Sequence, residues 1–187
     1  MLSEQGQGEE GIVQIRRGLT AYRTTGAALW RSYHLALLAE AYGKVGRVEE
    51  GLPLLVEALA HVDRTGERRW EAELYRLRGE LTLAQSQTSL GQVKTSQDKY
   101  EDTDPQPLIP DPQGEAEACF HKAVEIARRQ KAKSLELRAV MSLSRLWQQQ
   151  GKKNEAWQLL ADIYGWFTEG FDTKDLQEAK ALLQELP

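Results

Sequence analysis

The sequence predicts an all-α protein made of stacked antiparallel helix pairs, on three observations. Apolar residues recur at spacings of three and four, as in Leu35, Leu38, Ala39 and Tyr42 and again in Leu52, Leu55, Leu59 and Val62. Such spacing puts each set on one face of a helix. Leu, Ala, Glu, Gln and Arg, all strong helix formers, dominate, and no β-branched run alternates in the manner of a strand. The chain also repeats itself at a fixed offset. EEGIVQIRRGLTAYRTTGAALW, from Glu9, aligns with EEGLPLLVEALAHVDRTGERRW, from Glu49. Gly11 meets Gly51, Leu19 meets Leu59, Gly26 meets Gly66 and Trp30 meets Trp70, each 40 residues apart.

Taken in order, the elements follow from this period. The opening MLSEQGQGEEG sets Gly6 to Gly11 as Gly46 stands to Gly51, so the chain is expected to begin inside a repeat, with the tail of one helix. Gly26, Gly46, Gly66 and Gly151 each follow a helical run, where glycine enters the left-handed region without a Cβ penalty. Short connections between helices imply antiparallel neighbours. From Ser86 to Pro112 the chain reads SQTSLGQVKTSQDKYEDTDPQPLIPDP, with four of the six prolines. Residues 86–113 are therefore expected to be a disordered insertion, more readily a tolerated surface loop than a proline-rich docking ligand. The period resumes beyond it, where EAEACFHKAVEIARR and NEAWQLLADIYGWF place Ala116 over Ala156, again 40 apart. A last amphipathic helix is predicted within 172–187, capped at Asp172 or Thr173 and running through Leu176, Ala179, Leu183 and Leu186. The aromatics before it, Tyr164, Trp166, Phe167 and Phe171, belong to an end cap or an association surface. In all, about four partial or complete repeats form one domain over 1–187.

Composition narrows the chemistry. Hydrophobic residues make up 41% and charged ones 28%, a globular balance. The 24 basic and 28 acidic residues interleave, giving −4, and no dense Lys/Arg cluster points to nucleic acid. No stretch of 18 apolar residues could cross a membrane, and the start lacks the basic and apolar regions of a signal peptide, so a cytoplasmic location is expected. Cys119 is the only cysteine, which excludes an intrachain disulfide; beside Phe120 it reads as a small core residue. His34, His61 and His121 fall at unmatched places in different repeats. No G-x4-G-K-[ST], H-E-x2-H or G-x-S-x-G motif occurs. The expectation is a protein that is not an enzyme, with no catalytic residue, metal or cofactor, whose partner is a protein or peptide.

The spacing within each unit resembles the tetratricopeptide (TPR) repeat, W-x2-L-G-x2-Y followed by A-x3-F-x2-A. One unit gives Leu35, Leu38, Ala39, Tyr42, then Gly51, Leu55 and Ala58; another gives Val140, Leu143, Ser144, Trp147, then Ala156, Leu160 and Ile163. The middle unit gives Tyr75 and Gly79, then Ala116, Phe120 and Ala123, but carries Arg78 in the leucine slot and Thr82 in the tyrosine slot. Longer phrases such as ALLAEAYGKVGRVEEGL and YGWFTEGFDTKDLQEAKALL look like the C-terminal repeat region of bacterial multidomain cyclase–ATPase (STAND-type) signalling proteins. That resemblance implies a non-catalytic sensor or scaffold arm, with a free-standing, homo-oligomerising binding protein as the alternative. An enzyme with an unrecognised site is a remote third.

The resemblance also implies that the first helix of each pair lines a concave face. Its stripes are Tyr33, Leu37, Glu40 and Lys44; Glu73, Arg76 and Glu80; and Arg138, Met141, Arg145 and Gln148. Their mixed signs do not suit an anionic peptide tail, and Glu40 and Glu80 stand where chaperone-binding relatives carry Lys and Asn. Trp70 is expected to pack between successive helix pairs, making TGERRWEAEL a repeat junction and not a contact site; at the third junction Leu135 takes its place. A truncated first repeat would leave an apolar face uncovered, so dimerisation through one end of the array is expected.

Overall fold

The computed structural model describes residues 2–26, 29–93 and 111–186, and these form eight helices and no strand. In order they are α1 (Leu2–Thr24), α2 (Arg31–Lys44), α3 (Val48–Thr65), α4 (Glu71–Val93), α5 (Pro112–Arg129), α6 (Lys133–Gln149), α7 (Lys153–Tyr164) and α8 (Lys174–Glu185). Helix ends follow the local chemistry. Gly26, Gly46, Gly66 and Gly151 all adopt positive φ, 74° to 79°, at the turns that follow α1, α2, α3 and α6. At the start of α5, Asp111 accepts a hydrogen bond from the Gln113 amide at 3.1 Å, with Pro112 in the first turn.

The helices pair as α2 with α3, α4 with α5 and α6 with α7, α1 packs on α2, and α8 closes the far end against α6 and α7. Along the array α2 touches α4, α4 touches α6, and α6 touches α8, whereas α3, α5 and α7 do not touch one another. The array therefore curves towards the even-numbered helices, which form its inner face. Close approach within the pairs depends on small side chains. A Cβ on Gly51 would lie 3.2 Å from the Ala39 carbonyl oxygen, and Ser144 donates to the Ala156 carbonyl at 3.2 Å. Gly79 faces the ring of buried Phe120. Large apolar residues fill the space beside these contacts. Leu35, Leu55, Val62, Leu74 and Leu77 make one core, and Val140, Leu160, Ile163, Leu176 and Leu182 make another. Each buried side chain of that size contributes about 1.5–3 kcal/mol.

Three sequence expectations change. Helix α4 continues to Val93, so residues 86–93 are helix where the insertion was expected to begin, and α5 already starts at Pro112. The rest of the expected insertion, 94–110, lies outside the described residues. The uncovered apolar face expected on the first repeat is mixed among the described side chains of α1: Glu9, Glu10, Arg17 and Thr20 are exposed, and so are Val13 and Ala21, which line a hollow together. Ile12, Ile15 and Leu19 turn inward against Leu38 and Tyr42. In the middle repeat Leu77 and Leu81 are buried, while Arg78 stays half-exposed and pairs with Glu115 at 3.0 Å.

Candidate functional site

The inner face is built from one stripe of each even-numbered helix, because residues three and four apart on a helix point the same way. On α4 the guanidinium of Arg76 donates to Glu73 twice, Nε to Oε2 at 2.9 Å and Nη2 to Oε1 at 2.8 Å, and its Nη1 bonds Glu80. Glu73 and Arg76 are each 7% exposed. From α6, Arg138 reaches Glu73 at 2.8 Å, and the Ser142 hydroxyl donates to Glu80 at 2.8 Å. Glu40 on α2 pairs with Lys44 at 2.9 Å. Further along, Arg145 bonds Glu178 of α8 at 3.1 Å.

Electrostatics ties these pairs together. Burial works against the charge on Arg76, but the hydrogen bonds and negative charge of Glu73 and Glu80 outweigh it and raise its pKa. For Glu40 burial again opposes ionisation, and Lys44, with Arg138 and Arg76 at longer range, holds the carboxyl below the usual carboxylate range. Positive and negative groups thus alternate across α2, α4, α6 and α8. Low local dielectric makes such a satisfied network rigid.

Of the three stripes read from the sequence, Glu73, Arg76, Glu80 and Arg138 share one cluster with Ser142, while Glu40 with Lys44 and Arg145 with Glu178 form separate pairs beside it. Glu73, Arg76 and Met141 are buried in its floor, so they are not a solvated helix face. Tyr33, Leu37, Glu40, Glu80, Arg138, Arg145 and Gln148 are half-buried, and Lys44 is exposed. Tyr33 stands apart from the charges: its ring stacks on Trp70 with centroids 4.6 Å apart. Sequence reasoning missed Ser142 and Glu178. Ser142 lies four residues after Arg138 on the same stripe and was legible by extending it; Glu178 comes from the cap and carried no repeat signal. Between α4 and α6 a shallow hollow of about 240 Å³ is lined by Glu80, Phe120, Ser142 and Arg145.

The remaining candidates lie elsewhere. The four aromatics before α8 divide: Tyr164 and Phe167 pack against the core, while Trp166 and Phe171 are exposed at 58% and 47%. Cys119 is buried, and burial pushes its thiol pKa up. Among the described residues no three His, Cys, Asp or Glu side chains converge on a metal position. His34 contacts the rings of Tyr22 and Tyr33, buried His61 lies 3.5 Å from Glu67, and His121 lies 3.8 Å from Glu117. No described helix is long and apolar enough to cross a membrane.

No protein-family model matches the chain, and no curated protein does. Among solved structures it is similar to a kinesin light chain-like protein of Podosopora anserina, formed of nearly identical TPR-like repeats. That structure matches with TM-score 0.61 and 18% identity, over 98% of this chain and 79% of the other. A glutamine-to-methionine variant of the same protein matches with TM-score 0.62 and 17% identity, over 98% and 78%. At such identity the likeness concerns the fold: the chain is an all-α solenoid of TPR-like helix pairs.

Proposed function

We propose that the chain is a non-catalytic protein-interaction scaffold that holds a peptide or protein segment against the inner face of α2, α4, α6 and α8. One observation carries this reading. The charges of that face are paired in three neighbouring clusters, Glu40 with Lys44, Glu73 and Glu80 with Arg76, Arg138 and Ser142, and Arg145 with Glu178, and the side chains of Glu80, Arg145 and Lys44 are left 39%, 43% and 72% exposed. Groups held in place before binding lose little entropy on binding, which favours a specific partner. Alternating signs suit a segment that itself carries both charges. In the finer form of the proposal the chain is the sensor or scaffold arm of a bacterial signalling protein and works in the cytoplasm. Its support is the likeness of whole phrases in the sequence. Selection of random peptides on the full chain, repeated on an Arg145→Glu, Lys44→Glu variant, tests the binding role. Enriched peptides that lose affinity for the variant agree with it; peptides indifferent to the change contradict it.

A second reading rests on exposed Trp166 and Phe171, which suit self-association at the α8 end of the array. A mass that rises towards the dimer with concentration in light scattering supports it, and a constant monomer mass removes it.

A further inference from the structure

Away from the inner face, the turns between helix pairs gather on one edge of the array. The sequence carries a short cationic run at 128–133, and folding brings it to a second one by joining the α3–α4 turn to the α5–α6 turn. Gln130 donates to the Arg68 carbonyl at 2.6 Å, which locks the two turns together. Residues 128–133 read RRQKAK, four cations and no acid; Gln130 and Ala132 of this run line one hollow with Arg68 and Arg69, and Arg129 and Arg68 both reach Glu71. A hollow of about 480 Å³ opens between the turns, lined by Arg68, Arg69, Trp70, Gln130, Ser134 and Leu135.

The carboxylates at this edge are engaged. Glu71 binds Arg68 at 2.7 Å and faces Arg129 at 4.0 Å; Glu136 binds Arg128 and Lys133, both at 2.7 Å. Asp63 lies 3.7 Å from Arg68, Glu125 pairs with Lys122 and Arg129, and Glu67 faces His61 and accepts from the Trp30 amide. Arg69 and Lys131 have no carboxylate within ion-pair distance among the described residues. Arg69 instead spans two indoles, 5.2 Å from the Trp30 ring centre and 5.8 Å from that of Trp70. The indole Nε1 of Trp70 is shielded from water and has no acceptor among the described residues.

A further observation is independent of charge. Lys131 has φ 56° and Trp30 has φ 66°, the two non-glycine residues with positive φ among those described. Gly46, Gly66 and Gly151 take the left-handed conformation at comparable helix ends without strain. At the end of α5 a lysine is held in that conformation instead, exposed and without a carboxylate partner, between Gln130 and Ala132, which line the hollow.

We infer that this edge is a second binding site, which takes an acidic segment of a partner protein. Its carboxylates meet Arg69 and Lys131, and an apolar side chain packs into the hollow against Trp70 and Leu135. The occupant is anionic because the site offers cations without partners while the whole chain carries −4. The site is separate from the inner face and does not depend on the role proposed for it.

The test is fluorescence polarisation of a short fluorescein-labelled peptide of alternating aspartate and leucine, titrated with the full chain. Saturable binding that weakens with salt is expected, and an Arg69→Glu, Lys131→Glu variant should lose about tenfold in affinity. Lys131→Gly should also weaken binding while leaving the fold at least as stable, which separates lost recognition from lost structure. Arg145→Glu, on the inner face, should leave the affinity unchanged. Absence of saturable binding, equal affinity for the edge variants, an equal loss with Arg145→Glu, or tighter binding of a labelled oligothymidylate would each overturn the assignment.

Discussion

Arg76 grips Glu73 through two parallel hydrogen bonds one turn apart on α4, and Arg138 from α6 closes on the same carboxylate at 2.8 Å. Removing one member leaves a charge in the floor of the inner face. Arg76→Met is therefore expected to destabilise the chain by about 3 kcal/mol, measured by urea unfolding. Adding Glu73→Gln to it should restore part of the loss, since the stranded carboxylate is then gone. Equal stability of the Arg76→Met variant and the original chain would show that the network is solvent-screened.

Gly79 tests the packing of the second pair. A Cβ at this position would lie 2.5 Å from Phe120 Cε1 and 2.9 Å from its Cδ1. Helix propensity favours alanine there by about 1 kcal/mol, but Phe120 is buried and the ring cannot yield without moving α5. Gly79→Ala is expected to destabilise by about 1–3 kcal/mol. A rise in melting temperature would mean that α4 and α5 sit further apart.

Lys131 gives a prediction of the opposite sign. Its left-handed backbone costs a lysine about 1 kcal/mol that a glycine avoids. Lys131→Gly should stabilise the fold by about that amount in thermal unfolding, and Gly66→Ala, at φ 74°, should destabilise it by a similar amount.

Acid should weaken the array through specific carboxylates. Trp147 donates to Glu117 at 2.7 Å and, with Lys152 nearby, holds its carboxyl below the usual range. Glu136 is held low as well, since its bonds to Lys133 and Arg128 outweigh the effect of burial. A carboxyl whose pKa is lower in the folded state contributes stability above its unfolded pKa, and loses it as pH falls through the folded value. Stability is thus expected to be steady near neutrality and to decline below about pH 4.5. Trp147→Phe should make that decline shallower; an unchanged acid slope would remove Glu117 from the explanation.

The fold was legible because its signals are local and repeated. Gly26, Gly46, Gly66 and Gly151 mark helix ends by backbone conformation alone, and the small residues Ala39, Gly51, Ser144 and Ala156 mark close approaches. The reach of α4 to Val93 was less so, because a polar helix extending beyond its packed partner reads like a loop. Helical spacing grouped each stripe and the repeat resemblance implied that it faces inward, but neither could reveal that Glu73 and Arg76 are buried. Nor could it reveal the basic edge, whose two halves are about 60 residues apart and meet only through the stacking of pairs. Trp70 belongs to both descriptions: it packs on Tyr33, as the period implied, and it also lines the hollow at that edge.

The central proposal is that binding occurs on the inner face. Hydrogen exchange with and without the tightest peptide selected on the full chain tests it most directly. Added protection concentrated in α2, α4 and α6, around Glu40, Glu80 and Arg145, is the predicted result. Protection confined to α3, α5 and α7, on the outer face, would contradict it.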